Sequence, residues 1–255
     1  MKKGTEIKYN GTLYNEDGDH PVDLGKRTKA FTQEEIKEAY EDPELKFMLV
    51  GQDRIFGIDK LKLDDEYFLL LEPNPVTFYF SLAFDSVQQI AATRKNLKKI
   101  LKNSSNDGSK AQAFSFLFRV CAVCTTFSFL ALEAFLNQML PDTSLIEFKG
   151  KMVSKKTVEK EAYFNDKFNN IIPAILNKNF AEDFPADAAV IMQLKKMRDK
   201  LIHLKEVRDG FTSYNKIYQE ILDTNFQQVV NCIKKCINFY RPNLIVTYGL
   251  KTQIK

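Results

Sequence analysis

The chain has 255 residues, of which 44% are hydrophobic and 27% charged, a balance that excludes wholesale disorder. That length buries a sizeable core without metal or disulfides. Only 10 glycines and 8 prolines are present, well below the roughly 12% of an average chain, so long helices are favoured over a turn-rich β-sandwich or barrel. Lysine and arginine total 37 against 33 acids, and so small an excess names no partner.

In chain order, Met1-Lys2-Lys3-Gly4-Thr5-Glu6 leads into no apolar core, so no signal peptide is expected. The expected compartment is the reducing cytoplasm, where structural disulfides are rare. Six of the ten glycines lie in the first 57 residues, and residues 1–75 read as an N-terminal extension or small accessory region. Ile7, Tyr9, Thr12 and Tyr14 flank Asn10-Gly11, a strong hairpin signal, and Asp17-Gly18-Asp19 marks a second turn. Thr32 with Glu35 forms a capping box for a short acidic helix. Phe47–Val50 and Tyr67–Leu71 read as small strands.

From Pro75 the pattern is helical. Ala83, Val87, Ile90, Leu97 and Leu101 give an amphipathic helix of about six turns, ended by the polar run from Asn103 to Gly108. A second helix is expected over Ala111–Leu140. Its 13 uncharged residues from Val120 to Leu132 are too few to span a bilayer and predict a buried helix. A third covers much of Thr157–Leu176, where Pro173 kinks or splits it. A fourth runs from Pro185 to about Leu204, and Gly210 marks the next loop. A fifth, from about Tyr214 to Tyr240, buries Tyr218, Leu222, Phe226, Val229, Ile233 and Cys236. The expected class is mainly α: a bundle of four to five helices over residues 76–240, a mixed and partly irregular N-terminal region containing a candidate β-hairpin, and a basic tail over 241–255. The cysteines pair closely as Cys121/Cys124 and Cys232/Cys236 inside helices, which favours core packing over a metal site.

No phosphate loop, dinucleotide fingerprint, nucleophile elbow or zinc-spaced histidine pair is present. Of the two histidines, His20 sits in an acidic turn-rich segment, whereas His203 closes Arg198-Asp199-Lys200-Leu201-Ile202-His203 at a helix end. With Val190, Leu194, Met197, Leu201 and Leu204 as the core stripe, Asp199 and His203 project roughly opposite it, Lys195 and Lys196 share their face, and Arg198 lies on the flank. A solvated polar face is the plain alternative. On the second helix, Ser115, Arg119, Thr126, Glu133 and Asn137 form one polar line on an otherwise apolar surface. A buried Glu133 needs a partner, and Arg198 or Arg119 could supply it. Such a pair either fixes helix register or orients Arg198. Basic residues cluster at Arg94–Lys102, Lys149–Lys160 and Lys195–Arg208, which suits a phosphate backbone or solvated helix ends.

Arg198 through His203 resembles the signature of the HEPN superfamily, the higher-eukaryote and prokaryote nucleotide-binding domains, in which an Arg followed by Asn, Asp or His precedes a His by a few positions. Leu132–Asn137 looks like the family's acidic residue on an earlier core helix. The resemblance covers roughly residues 76–240. It implies an all-α bundle acting as a metal-independent endoribonuclease in toxin–antitoxin or phage-defence systems, without cofactor or membrane partner. His203 would then be general acid or base, Arg198 would hold the phosphorane, and Asp199 would orient the site. Glu133 and Asn137 would support it from behind, while Lys195, Lys196 and Lys200 would contact RNA. One histidine per site implies a homodimer with a composite cleft, and the toxin class implies an inhibitory antitoxin partner. A non-catalytic HEPN-like module binding nucleotide, RNA or protein is the alternative, as is a helical interaction protein in which the match is chance.

Overall fold

In a computed structural model, residues 6–7, 13–14, 21–22, 29–30, 32–42, 47–50, 55–71, 74–203 and 214–245 are described. The molecule is mainly helical and divides into two compact units, residues 1–73 and 74–255.

The first unit begins with short paired strands: β1 (Glu6–Ile7), β2 (Leu13–Tyr14), β3 (Pro21–Val22) and β4 (Lys29–Ala30). β1 pairs with β4 and β2 with β3, both antiparallel. Ile7 pairs with Lys29 and Tyr14 with Pro21, and the Asn10-Gly11 turn of the expected hairpin lies outside the described residues. α1 (Gln33–Glu41) opens on the expected capping box, in which the Glu35 amide donates to the Thr32 hydroxyl and the Thr32 amide to the Glu35 carboxylate. β5 (Phe47–Val50), β6 (Ile55–Leu63) and β7 (Glu66–Leu71) form an antiparallel meander. Asp64 and Asp65, at φ 49° and 63°, make the tight turn between β6 and β7. α1 is fastened to β7 through Gln33, whose amide nitrogen donates to the Tyr67 carbonyl and whose amide oxygen accepts from the Tyr67 N–H.

The second unit is the helical bundle. α2 (Pro75–Asn103) starts at the Asn74 cap, whose side chain accepts from the Val76 amide, with Pro75 in the first turn. Val76, Phe80, Ala83, Val87, Ile90 and Leu97 are buried along it, whereas Leu101 is 53% exposed because the packed stripe ends one turn earlier. α3 (Asp107–Gln138) is capped by Asn106, so Asp107 and Gly108 belong to the helix rather than to the preceding turn. It runs 32 residues and is, by length and composition, apolar enough to cross a membrane; half of its most apolar window is buried inside the molecule. Phe129, Leu132, Phe135 and Leu136 are at most 1% exposed.

A small hairpin, β8 (Ile146–Phe148) with β9 (Lys151–Val153), follows. The expected third helix is broken into α4 (Lys155–Glu161), α5 (Phe164–Asp166), a π-helical segment (Lys167–Ile171) and α6 (Ile172–Leu176). The break falls at Ala162–Tyr163, whereas Pro173 lies within the continuous helical run from Phe164 to Leu176, directly after the π turn, so it does not split the helix. α7 (Phe180–Asp183) leads into α8 (Pro185–Ile202), which opens at Pro185 as expected. The fifth helix is two, α9 (Asn215–Asp223) and α10 (Phe226–Tyr240), divided where Asn225 caps the second by accepting from the Gln228 amide. Phe226, Val229, Ile233 and Cys236 are buried, while Tyr218 and Leu222 are half-buried. Tyr218 meets Phe114 and Phe118 edge-on, which seats α9 against α3. The segment around Gly210 and the residues after Ile245 lie outside the described residues.

All four cysteines are buried and unbridged. Burial pushes the Cys121 thiol up to about 11 and those of Cys124 and Cys232 to about 12. Among the described residues no group of three or more metal-ligating side chains comes together.

Candidate functional site

α8 buries Ala188, Ile191, Leu194 and Met197, with Val190 and Leu201 only half-buried. The packed stripe is therefore rotated from the expected one, and Leu204 lies outside the described residues. The rotation carries Arg198 from the flank into the edge of the core, where its side chain is 20% exposed. Its guanidinium carbon lies 4.1 Å from the centroid of the Phe129 ring. One terminal nitrogen donates to Glu133 Oε2 at 3.2 Å and the other to Asp199 Oδ1 at 3.0 Å. The remaining Nε–H is buried without an acceptor. An unpaired buried donor on a charged guanidinium costs more than a neutral one, for which the penalty is about 1–3 kcal/mol. It is opposed by two charge-assisted bonds of about 1.5–3 kcal/mol each, which hold the side chain in place.

Of the two partners the sequence allows for Glu133, the structure selects Arg198. Arg119 is instead solvent-exposed, with its guanidinium carbon 5.0 Å from the Phe116 ring centroid. Asp199 is held from a second side, where Lys195 Nζ donates to its Oδ2 at 2.6 Å. Both of its oxygens are thus directed along α8 toward cations. His203 caps the C-terminus of α8 through its backbone N–H, which donates to the Asp199 carbonyl at 3.1 Å, and the residue is solvent-exposed. Lys196 and Lys200 are also exposed, Lys200 forming an ion pair with Glu220 of α9.

Asn137, one turn beyond Glu133 on α3, accepts at 2.8 Å from Lys167 Nζ. Lys167 is 5% exposed, and the sequence reading does not single it out. Burial pushes its ammonium below the ordinary lysine range, opposed by the nearby carboxylates of Glu133 and Glu159. A signal for it exists: Phe164, Lys167 and Ile171 stand at helical spacing, so a lysine occupies a place in an apolar stripe. The π turn then brings Lys167, Phe168 and Ile171 all to the buried side.

Three sequence-selected residues, Glu133, Arg198 and Asp199, are thus joined with Lys195 in one hydrogen-bonded chain, and Asn137 holds Lys167 one turn further along α3, where the charge of Glu133 also reaches it. His203, Lys196 and Lys200 stand on the exposed end of α8. Three cations, Lys167, Lys195 and Arg198, face three carboxylates, Glu133, Asp199 and Glu159, so the arrangement carries no net charge. No family model matches the sequence, and no curated protein or solved structure is similar to it.

Proposed function

We propose that the bundle is a metal-independent endoribonuclease of the HEPN type, acting as a cytoplasmic homodimer in a toxin or phage-defence role and restrained by an antitoxin partner. The observation that carries this reading is the union of Glu133 and Arg198, which stand 65 residues apart in the chain and meet at 3.2 Å, with the exposed His203 at the end of the same helix. RNA supplies its own nucleophile, the 2′-hydroxyl, so the protein need only move protons and stabilise the phosphorane. An imidazole gives up and takes protons near neutrality, which suits the acid and base steps. Arg198 reaches the phosphate by exchanging one carboxylate for it, keeping its plane stacked on Phe129. Two copies of His203 across a two-fold axis supply the acid and the base.

A second reading, a non-catalytic module binding RNA, nucleotide or protein, is favoured by the same packing: a guanidinium already holding two carboxylates works as a structural tie. The two readings separate on product chemistry. Wild type, His203→Ala and Arg198→Lys are incubated with a mixed RNA pool in excess EDTA, and the ends are read. The expected result is cleavage leaving 2′,3′-cyclic phosphates, lowered about 10²–10⁴-fold by His203→Ala and severely by Arg198→Lys, because an ammonium lacks the planar fork. Cleavage equal in wild type and His203→Ala, or absent throughout, rejects the nuclease. The two variants also differ in stability. His203→Ala, at an exposed helix end, stays within about 0.5 kcal/mol of wild type. Arg198→Lys loses its stacking and one of its ion pairs, and its melting temperature falls, contrary to the expectation from a flank position. Sedimentation at micromolar concentration gives a dimer on this reading, and a 29.4 kDa monomer removes the composite site.

A further inference from the structure

Between the C-terminal half of α2 and the N-terminal half of α3 lies a groove of about 650 Å³ that the reading above does not use. Asn96 of α2 and Ser109, Gln112, Ser115, Phe116 and Arg119 of α3 supply its polar and aromatic lining, and none of its lining residues is acidic. Phe116 is 43% exposed, and the exposed Arg119 lies against its ring. Neither group gains much for folding from this position, since a surface cation–π pair contributes only about 0.5–1 kcal/mol. Together they offer two flat surfaces bordered by amides and hydroxyls, which is the chemistry that meets the faces and edges of nucleobases.

The charge around the groove points the same way. Lys95, Lys99 and Lys102 recur at spacings of four and three, share one face of α2 beside Asn96, and are all exposed. The run from Arg94 to Lys102 contains no acid to neutralise them. Arg94 does not belong to this surface. Its guanidinium is tied to the carbonyls of Ile221 and Thr224, both at 3.1 Å, and holds the α9–α10 junction. Asp107, the acid at that end of α3, is ion-paired with Lys110 at 2.9 Å. Arg119 and Glu133 are fourteen residues apart on the same polar line of α3, roughly 21 Å along the axis. Ser115, Arg119, Thr126, Glu133 and Asn137 all retain some solvent exposure. A strand lying in the groove is therefore directed along that line toward the Glu133–Arg198 pair.

We propose that this groove is a binding track for single-stranded RNA, in which a base stacks on Phe116 and Arg119 while Lys95, Lys99 and Lys102 meet the phosphates. It deepens the nuclease reading by naming where substrate RNA lies before it reaches His203, and it rests on that reading for its biological role. An acidic peptide would satisfy the lysines but has no use for the flat aromatic surface. A duplex keeps its base faces to itself.

The test is binding of a short labelled RNA in which every 2′-hydroxyl is methylated, so that cleavage by 2′-hydroxyl attack cannot occur, read by fluorescence anisotropy with the full chain. Phe116→Ala is expected to weaken binding about 5- to 150-fold, the range for loss of one stacked base, while Phe116→Tyr stays near wild type. Arg119→Ala also weakens binding, and Lys99→Ala lowers the slope of log affinity against log salt by about one phosphate contact between about 50 and 200 mM salt. The track is overturned if wild type fails to bind the oligonucleotide, if Phe116→Ala binds as tightly as wild type, or if the corresponding duplex or polyglutamate binds equally well. The two proposals fail separately. Cleavage of ordinary RNA with binding indifferent to Phe116 removes the track alone, whereas Phe116-dependent binding without cleavage removes the nuclease alone.

Discussion

Lys167 holds an ammonium at 5% exposure with the Asn137 side-chain oxygen as its hydrogen-bond acceptor. Its pKa is lowered chiefly by burial, so the protonated form is worse off in the folded chain than in the unfolded one. Below the folded pKa both states carry the proton and the folded state bears the full penalty. Between the folded pKa and the ordinary 10.5 the unfolded state binds more protons, and stability rises with pH through that window. Lys167→Met removes the charge while keeping the length. It is expected to be neutral or stabilising at pH 7, as replacements of buried ions by apolar groups often are. Its advantage over wild type should shrink as pH approaches 10.5, and urea denaturation of both proteins at several pH values checks this; an advantage that grows with pH refutes the sign. The contrast with Glu133 shows what a sequence displays. A glutamate on a helix apolar elsewhere advertises a buried pair, and only its partner was open. Lys167 is hidden because lysines on surface helices are common, and because the π turn that buries it has no periodic signature.

At the scale of elements, long helices were the legible part, for their apolar periods run over many turns. The break between α9 and α10 was not, because Tyr218, Leu222, Phe226 and Val229 continue one stripe across it. Asn225 ends that continuity by capping, a local hydrogen bond with no effect on hydrophobic period. The β8–β9 hairpin was missed because three-residue strands are too short to show alternation. Its turn rests on Lys149 and Gly150 at φ 52° and 73°. Nothing lies within 4 Å of a Cβ placed on Gly150, so substitution there meets only backbone strain. Gly150→Ala is accordingly expected to cost about 1–2 kcal/mol, and Gly150→Asn less, because asparagine tolerates the left-handed region. Midpoints of urea unfolding measure both, and equal losses would contradict the conformational cause.

For the whole molecule, the described buried apolar cluster of the bundle runs from Val76 to Ile245, within the second unit. A chain starting at Asn74 is therefore expected to keep the helical circular dichroism of the bundle and to melt in one cooperative transition. A sloping, non-cooperative melt would mean that the first 73 residues supply part of the core. The basis for this division is visible in the glycine-rich first quarter of the sequence. The strand partners within it are not, since two-residue strands are chosen by chain geometry rather than by composition.

α3 also has a history in time. It is complete at Gln138, but α10, which packs on it through Phe135 and Tyr240, begins only at Phe226, about 90 residues later. At about 5–20 residues per second, synthesis leaves roughly 5–18 s between the two. Through that interval the face of α3 that α10 covers stays open, while α2, Phe164 and Arg198 of α8 come to cover its other faces. The newborn chain thus carries an uncovered apolar strip until α10 emerges, the interval in which it is most prone to stick to other chains.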